Sequence, residues 1–365
     1  MIAALWSTVR QSDLILFFSM LVLAGLGFAA LYSIGLGFGA DSFFFLKHQS
    51  IAFGIGFCAL LIISSIHYHH LKTYSIAFYI ITILILIAVL FLGSTIRGTK
   101  GWFSIAGFTL QPVELAKLGL IMILARYFSS FTRQVGQLKH IIVSGALAAL
   151  PIAAVLAQPD LGSAAILFAI WLGMMLMSGV PRRYTIAMCI MIILIAALGW
   201  ITVLKGYQRE RIITFLYPTH DVQGKSYNIR QAQIAIGSGE LFGRGLGFGS
   251  QSHLRFLPES QTDFIFSVIA EELGFIGVSF LLFFWLLLLR RLMRLMRKVR
   301  DDFGAYCVLG VTLLLFSHMA INIGGNLGLI PLTGIVLPFL SYGGSALVVD
   351  LIAIGLVESI HIHSS

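Results

Sequence analysis

Charge is what this sequence has least of: only 11% of its 365 residues are Asp, Glu, Lys or Arg, against 58% hydrophobic ones. A water-soluble globular chain carries about 25% charged residues, so most of this chain cannot face water. In lipid only helices and closed barrels satisfy their own backbone, and long unbroken apolar runs favour helices. Cysteine is scarce too. Cys58, Cys189 and Cys307 all fall inside apolar runs, which argues against a disulfide or metal framework and for small buried hydrophobes. No Walker motif, dinucleotide fingerprint or nucleophile elbow occurs, so ATP- or NAD-driven chemistry has no support. No cleavable leader is expected, because the apolar stretch after Asp13 is too long for a leader core and lacks a small-residue cleavage site. The formal net charge of +9 is not a nucleic-acid signature, since Arg and Lys sit mainly in short loops.

What the sequence does have is a series of apolar segments. Ten can cross a hydrocarbon core of roughly 30 Å: 14–34, 49–66, 76–94, 113–128, 141–157, 162–180, 184–204, 263–289, 304–324 and 336–358. They predict an all-α, polytopic membrane protein of ten transmembrane helices, with residues 1–365 as a single integral membrane domain. Placing both termini in the cytoplasm puts Arg10, Lys72, Arg126, Arg133, Lys139, Arg182, Arg183 and the basic run 290–300 inside, as the positive-inside rule expects. That run should attract anionic membrane lipid. Residues 205–262 then form a large extracytoplasmic loop between spans 7 and 8. A loop of this length is usually functional or disordered, and its apolar pieces 212–217 and 232–236 suit amphipathic segments at the membrane surface. From Gly237 to Gly249 glycines are dense enough for the backbone to approach a ligand or turn tightly.

Ionisable groups in or beside spans are costly and are functional candidates by default. Glu114 and Lys117 stand three apart on one helix face, close enough to pair; they form either a structural ion pair or a site where Lys117 meets an anionic substrate. Asp263 opens the eighth span, with Glu271 and Glu272 about two turns deeper. It reads equally well as a helix cap or as a general base at the membrane boundary. Arg209 and Arg211, just beyond the seventh span, suit a diphosphate, whereas Arg97 and Lys100 read better as solvated surface charge. Trp102 is either an interfacial belt residue or a platform for a sugar or lipid. His67, His69 and His70 are spaced for a metal but have no carboxylate near them in sequence.

The segments FLPESQTDFIFSVIAEELGF (256–275) and GNLGLIPLTGIVLPFLSYGGS (325–345) resemble signatures of the SEDS family (shape, elongation, division and sporulation). Weaker matches, QPVELAKL (111–118) and YNIRQAQIAIGSG (227–239), occur in family order, and the resemblance runs over nearly the whole chain. Residues 331–334, the FLPESQTDF block and the short N-terminus are more similar to the RodA-like elongation branch than to the division branch. The resemblance implies a peptidoglycan glycosyltransferase in the bacterial inner membrane. It would polymerise lipid II, a disaccharide-pentapeptide on undecaprenyl diphosphate, on the extracytoplasmic side during elongation and shape maintenance. It further implies Asp263 as catalytic base, with Trp102, Glu114, Lys117, Arg211, Gln231 and Glu259 lining the substrate cavity or outer loop. A divalent cation (Mg or Mn) is compatible with that chemistry, and the metal ligands stay unassigned. A class B penicillin-binding protein, a single-span transpeptidase, is the implied partner. One departure falls at Gly101, where the family often has arginine before Trp102. The rival readings are a lipid II flippase, which would also bury charges such as Glu114 and Lys117, and a scaffold that recruits a partner enzyme.

Overall fold

The computed structural model describes residues 11–37, 43–96, 98–105, 108–131, 138–181, 183–184, 186, 190, 225–253 and 256–364. Its apolar runs become helices where a polar side chain answers the first backbone N–H groups. Helix α1 (Leu14–Leu36) starts on Asp13, whose Oδ1 accepts from the N–H groups of Ile15 at 3.1 Å and Leu16 at 3.2 Å. Asp160 caps α6 (Leu161–Met177) through the Ser163 N–H, and Asp301 caps α10 (Asp302–Asn326) through the Gly304 N–H. The other long helices are α2 (Phe44–Ser65), α3 (Tyr68–Leu92), α4 (Pro112–Ser130), α5 (Leu138–Ala157), α9 (Ile265–Lys298) and α11 (Gly344–His363). Between α6 and α9 lie α7 (Lys225–Ser238) and the single turn α8 (Ser250–His253).

Seven of these helices, α1, α2, α3, α5, α9, α10 and α11, are long and apolar enough to cross a membrane. Helix α6 is apolar but shorter, and α4 carries Glu114, Lys117 and Arg126. Nine of the ten expected spans fall on these nine helices, and the seventh, 184–204, lies almost wholly outside the described residues. The tenth expected span is displaced. Residues 336–343 are not helical, and α11 begins only at Gly344. A second correction concerns the all-α expectation. Between α3 and α4 the chain forms a small antiparallel sheet of β1 (Ser94–Ile96), β2 (Thr99–Ile105) and β3 (Phe108–Leu110), in the order β1-β2-β3.

The bundle packs α11 against α2, α4 against α3 and α10, and α9 against α1 and α10. One large apolar core runs through it. A second, small core of Ile34, Ala232, Leu257, Phe264 and Val268 seats α7 and the approach to α9 on the end of α1. The 225–262 part of the expected outer loop is therefore packed onto the bundle.

Helix α9 breaks at Gly274, whose φ of 63° and ψ of −164° are open to glycine and not to a side-chain-bearing residue. The break frees backbone groups, and the glycine-rich segment answers them. The N–H groups of Arg244 and Gly245 donate to the carbonyls of Glu271 (3.0 Å) and Glu272 (2.9 Å). In return, the N–H groups of Phe275 and Ile276 donate to Glu240 (2.9 Å) and Leu241 (3.1 Å). A Cβ on Gly239 would sit 1.9 Å from the Ala270 carbonyl oxygen, and one on Gly243 would sit 2.1 Å from that of Glu272. The close approach these glycines permit is to the chain's own helix.

Candidate active site

The turn Glu259–Phe264 delivers Asp263 to the start of α9. Glu259 adopts a φ of 57°, and its carbonyl accepts from the N–H groups of Thr262 and Asp263, both at 3.1 Å. Its carboxylate folds back over the same turn, accepting from Gln261 Nε2 at 3.1 Å and Thr262 Oγ1 at 3.4 Å. The N-cap of α9 is Phe264, so Asp263 stands one residue before the capping position.

Three elements fix the turn from outside. From α10, the side-chain amides of Asn322 (3.1 Å) and Asn326 (2.8 Å) both donate to the Asp263 carbonyl, and Asn326 Oδ1 accepts from Ser267 Oγ on α9 at 2.6 Å. From the irregular stretch before α11, Ser341 Oγ donates to the Thr262 carbonyl at 2.6 Å, and the Tyr342 N–H donates to that of Gln261 at 2.8 Å. From α2, Gln49 holds that stretch at two points, Nε2 to the Ser341 carbonyl at 2.9 Å and Oε1 from the Gly343 N–H at 3.1 Å. The two signature segments thus form one interlocked unit. Gly334, at φ 77°, lies against the acid itself, since a Cβ there would be 3.7 Å from Asp263 Oδ2.

Below this turn is a cluster of buried charge. Lys117 Nζ pairs with Glu114 Oε1 at 2.8 Å, as the three-residue spacing predicts, and touches His318 Nε2 at 2.9 Å. His318 is four residues from Asn322, about 6 Å along α10, which sets Lys117 close beneath the Asp263 turn. Asp350 of α11 is also buried and lies within electrostatic reach of Glu114 and Lys117; among the described residues neither of its carboxylate oxygens has a hydrogen-bond partner. Three acidic or basic groups and a histidine in one apolar bundle make a polar floor that hydrocarbon would reject.

The remaining expected residues are spread more widely. Trp102 is half-buried in β2, its carbonyl accepting from Ser94 Oγ at 3.0 Å. Its neighbour Gly101 packs on Gln158, where a Cβ would come within 2.9 Å of Oε1. Gln158 in turn is held by the Leu86 carbonyl at 3.1 Å, so the chain has filled the space of a side chain at position 101. Gln231 is half-buried on α7, from which Gln233 reaches the Leu327 carbonyl at 3.0 Å. Arg211 lies outside the described residues, as do Arg97 and Arg209. Glu271 and Glu272 serve the glycine-rich segment: Glu271 Oε1 accepts from the Gln251 N–H at 2.8 Å, and Glu272 Oε1 from Ser33 Oγ. Asp350, His318, Asn322, Asn326 and Gly334 are not among the site residues expected from the sequence. The first two were findable, being ionisable residues inside apolar runs; the others act through backbone geometry, which no residue pattern announces. Among the described residues no group of three or more His, Cys, Asp or Glu side chains could hold a metal ion, the His67 cluster included.

Long apolar helices with a carboxylate turn held at one end, above a buried cation, define a class: an integral membrane protein with a charged site toward one end of its bundle. The family of cell cycle proteins that groups FtsW, RodA and SpoVE matches residues 11–365, and the chain belongs to it, the SEDS family. The probable peptidoglycan glycosyltransferase FtsW of Geobacter sp. (strain M18) is 35% identical over 96% of this chain and 97% of its own length. The peptidoglycan glycosyltransferase MrdB of Escherichia coli (strain K12) is 38% identical over 78% of this chain and 77% of its own length. The peptidoglycan glycosyltransferase RodA of Treponema pallidum is 32% identical over 97% of this chain and 98% of its own. Among solved structures, a chain described under the structural coordination of polymerization and crosslinking by a peptidoglycan synthase complex matches with a TM-score of 0.80 at 30% identity, covering 96% and 97% of the two chains. The rod shape determining protein RodA of Thermus thermophilus matches with a TM-score of 0.72 at 28% identity over 96% of each. The chain is accordingly an enzyme of the glycosyltransferase class.

Proposed function

We propose that this enzyme polymerises lipid II into peptidoglycan glycan strands on the extracytoplasmic face of the bacterial inner membrane, with Asp263 as general base. The observation that carries the reading is the seating of Asp263. Its backbone is clamped by Asn322 and Asn326 and its turn by Ser341 and Tyr342, while Gly334 packs beside the carboxylate, the place of a Cβ there lying 3.7 Å from Oδ2.

In the proposed reaction, the acceptor sugar's 4-hydroxyl attacks the anomeric carbon of the donor. A new C–O bond forms as the bond to undecaprenyl diphosphate breaks, and the hydroxyl proton passes to Asp263. The diphosphate leaves as an anion and needs countercharge rather than a proton. Lys117, with Arg211 of the outer loop, provides it. Single displacement inverts the anomeric centre, so no second carboxylate acting as general acid is required. Glu114 holds Lys117 in place, Glu259 shapes the Asp263 turn, and Trp102 and Gln231 border the approach. The described residues form no metal cage, so no step is routed through a Mg or Mn ion.

The chain works as one membrane domain with both termini cytoplasmic, and its partner is a class B penicillin-binding protein that cross-links the product. The elongation role rests on the RodA-like wording of residues 331–334 and 256–264. The test is polymerisation of fluorescent lipid II by the purified protein with its partner. Asp263→Ala should remain folded and partner-bound yet make no glycan, whereas polymer at the unmodified rate would sink the assignment. Lipid II scrambling in protein-only liposomes, indifferent to that change, would favour a flippase instead.

A further inference from the structure

We infer that the glycine-rich segment Gly237–Gly249 is a lipid-embedded element, seated among the acyl chains of the leaflet at the Asp263 end of the bundle. Two polar anchors give the depth. Asp13 of α1 pairs with Arg291 of α9 at one level, and Ser33 of α1 bonds Glu272 of α9 at another. Twenty residues of α1, and nineteen of α9, separate the two levels, about 30 Å at 1.5 Å per residue. That is roughly the thickness of the hydrocarbon core, so the anchors mark its two boundaries. The Gly247 N–H donates to Ser33 Oγ at 2.9 Å, which fixes the segment at the upper boundary, beside the Gly274 break and below Asp263.

Apart from Glu240 and Arg244, the exposed side chains there suit lipid rather than water. Leu241, Phe242, Leu246 and Phe248 are all exposed, Phe242 at 79% and Phe248 at 78%. They continue the band formed on α9 by Phe275, Ile276, Phe280 and Phe283, which also face outward. Arg244, exposed in the same stretch, turns back onto protein acceptors, the Ser238 carbonyl at 3.2 Å and Ser250 Oγ at 3.4 Å. Irregular backbone survives next to hydrocarbon only where its polar groups find partners. Here the bonds across the α9 break answer the N–H groups of Arg244 and Gly245 and the carbonyls of Glu240 and Leu241, while Ser33 Oγ and the Gly245 carbonyl take the N–H groups of Gly247 and Phe248. Gly243, Gly245 and Gly247, all at positive φ, let the chain make those bonds while its apolar side chains point away from the helix. Breaking α9 and threading the gap is thus a way to hold four large apolar side chains in the bilayer on a non-helical support.

The test places a nitroxide at Phe242→Cys or Phe248→Cys, with Cys58, Cys189 and Cys307 changed to Ser, in proteoliposomes of phosphatidylethanolamine and phosphatidylglycerol. Collision with molecular oxygen is compared with collision with a water-soluble nickel chelate. Phe283→Cys serves as the lipid-facing control and Thr95→Cys, exposed in β1, as the water-facing one. Both loop sites should match the Phe283→Cys ratio. A ratio matching Thr95→Cys would overturn the inference in favour of an aqueous loop. Labels that collide with neither reagent would overturn it in favour of a protein partner or second copy covering the patch. Both substituted residues are exposed, so the fold should tolerate the labels.

Discussion

At one end of the bundle Arg291 pairs with Asp13, whose backbone N–H donates to Glu358 Oε2 at 3.1 Å; toward the other, Lys117 pairs with Glu114 and touches His318, with Asp350 nearby. Both clusters tie three helices through one cation and two carboxylates. They differ in what else those groups do. Asp13 caps α1 as well as pairing, and the Arg291 side chain keeps 20% of its surface exposed. The Lys117 side chain is 1% exposed, caps nothing, and shares its surroundings with an acid that has no hydrogen-bond partner among the described residues. A buried ion pair is weak evidence of stabilisation, because desolvation offsets most of its Coulomb gain. Taking the Asp263 end of the bundle as outer, the inner cluster fastens helix ends; the outer one sets a costly cation under the Asp263 turn, which stability alone does not ask for.

Removing the outer cation should have the largest effect. Lys117→Met strands Glu114 and Asp350 together in the bundle, and breaking a buried pair costs about 3–5 kcal/mol. Thermal unfolding in detergent should show a sharp loss. The double variant Glu114→Gln with Lys117→Met should recover most of the stability and none of the polymerisation. Recovery of both would make the pair purely structural and erase the distinction between the clusters. At the inner cluster, Asp13→Ala removes a cap and an ion pair, about 1–3 kcal/mol, with the rate per folded molecule unchanged. An inactive but stable Asp13→Ala protein would break the comparison from the other side.

Smaller effects concern the Asp263 turn. Asn326→Ala deletes a donor to the Asp263 carbonyl and leaves Ser267 Oγ short of its acceptor. We expect a loss of about 1–3 kcal/mol and a turnover rate lower by on the order of 10²-fold, with lipid II affinity held. An affinity loss with turnover intact would mean that Asn326 shapes the binding surface instead. Gly334→Ala forces a side chain into φ 77°, at about 1–2 kcal/mol, and brings a methyl group to the carboxylate. Its melting temperature should fall by a few degrees, measurable alongside the rate.

Much of this was legible from residue order because hydropathy and helix spacing are one-dimensional. The spans over 14–34 and 304–324 and the Glu114–Lys117 pair follow from it, whereas Asp263 stands out only through the resemblance carried by 256–275. Residues 336–343 were read as the start of a span because a buried irregular segment is as apolar as a helix. The sheet at Ser94–Leu110 escaped because its strands are only three to seven residues long. The glycine-rich segment announced close approach but not its target, which only the Gly274 break supplies. Asp350 carries its own signal, since an acid within an apolar run is costly and marks a functional candidate.

The most direct test of the central claim is the polymerisation rate of Asp263→Asn. Asparagine keeps the size and polarity of the side chain and the backbone carbonyl that Asn322 and Asn326 hold, and removes only the capacity to take a proton at neutral pH. With fluorescent lipid II and the transpeptidase partner present, the rate should fall by about 10²–10⁴-fold, the usual contribution of a general base, while melting temperature and lipid II affinity stay put. A variant that polymerises within about tenfold of the original would show that the proton goes elsewhere, and Asp263 would revert to a structural turn residue.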